Sequence, residues 1–388
     1  MKRIASIDIF RGLTMLTMIF VNDFAGMSGL PRWLHHAAAD EDMLGFSDLV
    51  FPAFLFCTGL SIPFAIAGRL RRGSTQIQVL GHVLVRTLAL VVMGLFTMNL
   101  GGVEGGLSRP VFTLLTVAGF FLVWNQYPCK ADGRKPGYAR VLQLLGIVLL
   151  ASLVIYKDLH GMPFKHGWWG ILGLIGWAYL PCALAFLFLR GDFNKLTGFW
   201  MLTLVLCVLN AAKAIPATYA SRALILGFWP GGWTHPAICA SGMFTALLLI
   251  RYGHKPREIL TLLYFYTLAM YLAGILCHRF WIISKIQATP TWGFFCVAVS
   301  TAAFMLLWWI SDRKEHSRWA RPVVPAGTAT LTCYMIPYLW YALQQLLGLH
   351  WPAVLTNGIP GLLKALAFTA VILSLTWLSG KAKLRLKI

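Results

Sequence analysis

The chain has 388 residues, of which 58% are hydrophobic and 12% charged, with mean hydropathy +0.70 and 33 Lys plus Arg against 13 Asp plus Glu. Soluble domains carry about 25% charged residues, so this composition excludes a cytosolic enzyme, a nucleic-acid binder and a disordered scaffold and describes a polytopic membrane protein. The basic excess then becomes a question of which side of the bilayer each cation occupies.

Crossing roughly 30 Å of hydrocarbon takes about 20 apolar residues. The sequence predicts an all-α polytopic protein with about twelve transmembrane helices, or eleven, at 8–26, 48–68, 79–100, 110–125, 139–156, 167–189, 196–212, 235–250, 258–277, 291–311, 326–346 and 359–379. Lys2 and Arg3 precede the first run, but Asp8 and Arg11 lie near its start and no small-x-small cleavage site follows, so it reads as a retained helix and not a signal peptide. With the N-terminus inside, the inner segments hold 22 Lys and Arg and the outer segments 8, which places both termini in the cytoplasm. No soluble domain can be separated, so residues 1–388 read as one integral-membrane domain. The eight cysteines occur singly and mostly within apolar runs, as small packing residues without a disulfide framework or metal site.

Ionisable groups inside a membrane are rare and costly, which makes them the first candidates for function. On the first helix Asn22 falls only about 20° around the axis from Arg11 and about 16 Å along it, so one stripe carries a cation at its inner end and an amide at its outer end. Asp8 and Arg11 also suit a local i, i+3 ion pair. The first outer loop holds Trp33, adjacent His35 and His36, an acidic run at Asp40, Glu41 and Asp42, and then Asp48 at the start of the second span. An imidazole can take a proton from an attacking amine or hydroxyl, and a carboxylate on its other nitrogen fixes the tautomer and raises its basicity. His36 and Asp48 could form such a pair; alternatively Asp48 complements a helix N-terminus. Aromatic residues with a polar neighbour also mark the outer boundary at His166, Trp168 and Trp169, at LGFWPGGWTH (226–235) and around Lys285 and Trp292. These suit interfacial anchoring, and stacked indoles beside a lysine would also suit a sugar ring. Arg69, Arg71 and Arg72 form an inner basic rim that could hold phosphates, and Arg86 lies within a span.

Further residues carry a resemblance. The run Arg3 to Thr14 (R-x-x-S-I-D-I-F-R-G-L-T), I-F-V-N ending at Asn22, W-L-H-H-A around His36 and D-L-V-F-P-A-F-L-F from Asp48 resemble the heparan-alpha-glucosaminide N-acetyltransferase family and its bacterial relatives; WWGILGLIGWAYL at 168–180, SKIQATPTW at 284–292 and W-A-R-P at 319 are weaker echoes. The resemblance implies a transmembrane acetyltransferase that draws on cytoplasmic acetyl-CoA, without a metal, and acetylates a glucosamine-type amine on the far side. It implies His36 as general base or acetyl carrier, Asn22 as its polar partner and Asp48 as the residue orienting His36. Arg11, Arg69, Arg71, Arg72 and Arg86 would contact the cofactor phosphates, and Trp33, His35, Lys285 and Trp292 the acceptor. The adjacent histidines leave His35 as an alternative base. Expected partners are acetyl-CoA, an amino-sugar or glycan acceptor and the lipid bilayer, with no nucleic acid; a homodimer is one expectation for the assembly. The setting implied is a bacterial inner membrane. A transporter or flippase for a sugar conjugate, and an O-acetyltransferase of the wider membrane acyltransferase group, are the competing readings.

Overall fold

A computed structural model describes residues 4–128, 136–212, 229 and 232–388. Lys2, Arg3, Lys130, Arg134, Lys135, Lys213 and Arg222, which enter the charge count, Cys129, and residues 226–228, 230 and 231 of the LGFWPGGWTH stretch lie outside the described residues.

Every expected span contains a helix, and no strand occurs among the described residues beyond two isolated bridges. In chain order the helices are α1 (Ala5–Phe24), α2 (Phe46–Arg71), α3 (Gln76–Met98), α4 (Arg109–Trp124), α5 (Gly137–Leu159), α6 (Gly170–Phe188) and α7 (Phe193–Ala211). They continue as α8 (Thr234–Tyr252), α9 (Pro256–His278), α10 (Pro290–Trp308), α11 (Val324–Thr328), α12 (Thr330–Leu346) and α13 (Gly358–Lys381). Among the described residues nine helices are long and apolar enough to cross a membrane: α1, α2, α3, α5, α6, α7, α9, α10 with its continuation to Arg313, and α13. Twelve spans were expected. The difference lies in α4, which is only 16 residues long, in α8, and in the 326–346 run, which breaks at Ala329 into α11 and the 17-residue α12. Ala329 leaves the helical region at φ −120°, ψ 42°, so a continuous apolar run in the sequence is not one continuous helix. The seven described cysteines are free and buried, as their apolar surroundings predict.

The chain divides into two compact units. The first comprises Met1–Thr14, Pro31–Val91 and Ile171–Arg321. Its centre is the packing of α2 on α8, where Gly59 and Gly242 let the two backbones touch: a Cβ at Gly59 would stand 1.7 Å from the Cys239 carbonyl oxygen, and one at Gly242 would stand 1.9 Å from that of Phe56. Small residues serve this purpose at helix contacts in membranes, where lipid offers no hydrophobic drive to association. Asp312, in the π-helical continuation of α10, receives the first free amides of α1, from Ala5 at 2.8 Å and Ser6 at 2.9 Å. A carboxylate satisfies donors that have no partner within their own helix.

The second unit comprises Met15–Leu30, Val92–Gly170 and Pro322–Ile388. Here α4 packs on α5 through Gly119 and Gly146, and the C-terminal segment pairs with the end of α4 through Gln126 N–H to Arg385 O (2.7 Å) and Lys387 N–H to Trp124 O (2.9 Å). Lys157 is buried, donating to Asn99 O at 2.8 Å with its ammonium over the Phe112 ring.

The glycine contact yields a prediction. Gly59→Ala places its new methyl against backbone and not against a flexible side chain, so α2 and α8 must separate. Overpacking costs about 1–3 kcal/mol and occasionally more, and the expected result is a lower detergent melting temperature, whereas Gly68→Ala, where no atom lies within 4 Å, leaves it unchanged.

Candidate functional site

The loop entering α2 and the loop entering α10 build a polar cluster in the first unit. Gly45 precedes α2 with its Cα against the His35 carbonyl: an added Cβ would lie 2.0 Å from that oxygen. This close turn, with Ser47 Oγ donating to Leu34 O at 2.5 Å, folds the 31–45 loop back over the start of α2. Asp48, in the first turn of α2, is 1% exposed. Its carboxylate does not cap its own helix. Oδ1 lies 2.7 Å from His36 Nδ1 and Oδ2 accepts the Ala37 amide at 2.9 Å.

These partners settle the tautomer in physical terms. An ionised carboxylate only accepts, so the 2.7 Å contact places a proton on His36 Nδ1, and in the neutral imidazole Nε2 is left as the acceptor. The His36 side chain is 39% exposed, and among the described residues Nε2 has no hydrogen-bond partner. Such an imidazole can accept a proton from an approaching donor, which leaves the imidazolium beside a buried anion.

Lys285 completes the cluster from the loop before α10. Its Nζ lies 3.2 Å from His36 Nδ1 and 3.7 Å from Asp48 Oδ1. With the Nδ1 proton committed to Asp48, the ammonium does not donate into that nitrogen; its charge acts on the carboxylate. Burial holds Lys285 below its ordinary range, against the opposing pull of Asp48. Trp292 is fully buried, and its indole N–H donates to the Asp48 backbone carbonyl at 3.2 Å. It therefore props the carboxylate-bearing turn from beneath.

Residues that the sequence did not single out as partners tie the two loops together. Asp42 pairs with His278 Nε2 at 2.7 Å and accepts the Ile283 amide at 2.8 Å. Ser284 Oγ and Gln287 Nε2 both donate to the Ala39 carbonyl, at 2.9 and 2.7 Å. Thr289 caps α10 by accepting from Trp292 N–H. Within the first loop Arg32 ion-pairs with Glu41 and donates to His36 O at 2.7 Å. The Ile283 amide and then His278 hold the Asp42 carboxyl below its usual value, and the Ala38 amide and then Arg32 do the same for Glu41.

The other candidates distribute as follows. Trp33 is exposed on a short 3-10 turn (Arg32–Leu34), and His35 lends its carbonyl to the Gly45 turn while His36 faces Asp48. Arg11 forms the expected i, i+3 pair with Asp8 at 3.5 Å and also donates to Ser61 Oγ at 2.5 Å. Arg86 packs 4.9 Å from the centre of the Tyr179 ring, within electrostatic reach of Arg11 and Arg69, and its Nε is buried without a hydrogen-bond partner among the described residues. Three of the five arginines thus share one region, while Arg71 and Arg72 are exposed at the C-terminal end of α2, where cations complement the helix dipole. Asn22 is exposed on the part of α1 that belongs to the second unit. Trp229 and Trp233 stack at 5.6 Å, and His166 lies 5.8 Å from Trp169. No group of three or more metal-binding side chains occurs among the described residues.

Long apolar helices define an all-helical integral-membrane protein, and where α2 and α10 begin an imidazole, a carboxylate and an ammonium come together. A family model described as a domain of unknown function (DUF5009) matches residues 3–247, well over half of the chain, and the chain belongs to that family. It is also 33% identical over 106 residues, 27% of its length, to the Homo sapiens protein named heparan-alpha-glucosaminide N-acetyltransferase, and 32% identical over 107 residues, 28% of its length, to the Mus musculus protein of the same name. The matched segments span only 15% and 16% of those two proteins.

The loop clasp predicts a pH effect. Because the folded Asp42 value is depressed, its stabilisation is complete above the ordinary carboxylate range, about pH 4, and is lost as pH falls through the lower folded value. Asp42→Ala should remove that stabilisation at neutral pH, a loss of about 0.2–1 kcal/mol because the pair is screened by solvent, and hydrogen exchange should show the Ile283 amide losing protection.

Proposed function

We propose that the protein is a transmembrane acetyltransferase that moves an acetyl group from cytoplasmic acetyl-CoA to the amine of a glucosamine-type sugar on the other face of the membrane. The observation that carries this reading is the His36–Asp48 pair, with Nδ1 committed to a buried carboxylate and Nε2 left accepting. The partial identity to proteins named as N-acetyltransferases supports it. In this account residues 1–388 act as one integral domain with both termini cytoplasmic, in a bacterial inner membrane.

His36 Nε2 removes the proton from the acceptor amine as its nitrogen attacks the thioester carbonyl carbon. The carbonyl oxygen takes up negative charge; the donor that stabilises it is assigned to the Asn22 amide by the family resemblance alone. Collapse restores the carbonyl, breaks the carbon–sulfur bond and releases the CoA thiolate, which takes up a proton. Asp48 holds His36 in the productive tautomer and stabilises the imidazolium formed during the attack. Lys285 offsets the charge of Asp48 and lies where it can also meet the acceptor. Trp33 offers an exposed ring for stacking on the sugar, beside His35, and Trp292 keeps Asp48 in register. Arg11, Arg69 and Arg86, with Arg71 and Arg72 at the rim, hold the phosphates of acetyl-CoA.

Purified protein given acetyl-CoA and glucosamine should release CoA and form N-acetylglucosamine. Asp48→Asn should lower turnover by about 10²–10⁴ and His36→Ala should abolish it, both with acetyl-CoA binding retained. Wild-type turnover in His36→Ala would remove the imidazole from the mechanism. Arg86→Gln should weaken acetyl-CoA binding about tenfold or more, the loss of one charged hydrogen bond, as read by calorimetry; unchanged affinity would leave Arg86 as a packing partner of Tyr179.

A further inference from the structure

A buried polar cluster in the second unit lies beside Asn22 and has no part in the chemistry above. Asp23 follows Asn22 on α1, and both of its carboxylate oxygens are engaged by other helices. Lys364 Nζ of α13 meets Oδ2 at 2.6 Å, and Tyr341 of α12 donates its hydroxyl to Oδ1 at 2.8 Å. The side chains of Lys364 and Asp23 are 10% and 4% exposed. The Lys364 ammonium also lies 5.8 Å from the centre of the Trp351 ring.

A buried ion pair is a poor source of stability, because apolar residues of similar volume often serve as well. What this one supplies is direction. Successive residues of a helix point about 100° apart, so a rotation of α1 by one position would carry Asp23 away from both partners and turn the neighbouring side chain with it. Val21 and Phe24, on either side, are buried, while Asn22 is exposed. One carboxylate gripped by two helices therefore fixes which way the amide points.

We infer that Asp23, Lys364 and Tyr341 form a positioning device for Asn22, setting the rotation of the last turns of α1 so that the amide is presented for acyl transfer. The inference rests on the acetyltransferase reading for its consequence and on the cluster geometry for its existence, and the two can be tested apart. Asp23→Asn/Lys364→Met removes both charges together and so avoids stranding one of them. It should leave the melting temperature of the full chain in detergent nearly unchanged and lower kcat about tenfold, with KM for acetyl-CoA held within about twofold, while Lys364→Arg, which keeps the cation, should recover most of the rate. In an Asn22→Ala background the double substitution should have no further effect, since residues acting through one another are not additive. Full turnover in Asp23→Asn/Lys364→Met, or the same tenfold loss with and without Asn22, would overturn the inference. A readout that needs no activity is maleimide labelling of Asn22→Cys against the same chain without it: neutralising the pair should change the labelling rate about fivefold or more, and an unchanged rate would contradict the device. Altered labelling in a protein that transfers no acetyl group would refute the enzymatic reading and leave the positioning intact.

Discussion

The candidate site depends on one electrostatic constraint: the Asp48 carboxylate is buried at the first turn of α2, and it needs donors. A carboxylate out of water is costly unless its oxygens are satisfied, and the chain supplies the Ala37 amide, the His36 Nδ1 proton and the nearby Lys285 charge. Most of the surrounding architecture follows. Gly45 allows the tight return that brings His36 back over Asp48, Trp292 holds the Asp48 carbonyl, and Asp42, Ser284 and Gln287 keep the Lys285 loop in place. The imidazole nitrogen left over by this arrangement is the chemically useful one.

Two further places in the molecule obey the same rule with different partners. Asp312 is satisfied by the amides that open α1, and Asp23 by an ammonium and a phenol from two other helices. Asp48, Asp312 and Asp23 are thus each held by specific donors from another segment.

Much of the fold was legible because long apolar runs have one stable outcome in lipid, the helix. What periodicity could not show was the break at Ala329 or the division into two units, since each unit is assembled from three separated segments and no linker composition marks a boundary. At the site, His36 and Asp48 were readable as a pair because only 12 residues separate them and both flank one loop. Lys285 stood out only as a polar residue among boundary aromatics; its approach to His36 from 249 positions away is a tertiary fact. The same holds for Asp42 with His278 and for Asp23 with Lys364. Their types were visible, their partners were not, because the acidic run and Lys364 carry no local signal of what they face.

If the imidazole held by Asp48 takes a proton from an amine on one side of the membrane while the donor thioester is supplied from the other, acetyl transfer has a direction across the bilayer. The most direct measurement uses the protein reconstituted in sealed vesicles, oriented with the termini inside, with acetyl-CoA enclosed and glucosamine outside. N-acetylglucosamine should then appear in the outer solution, with an equal amount of free CoA within. Glucosamine that remains unmodified, or acetylated only when acetyl-CoA is added outside, would contradict it.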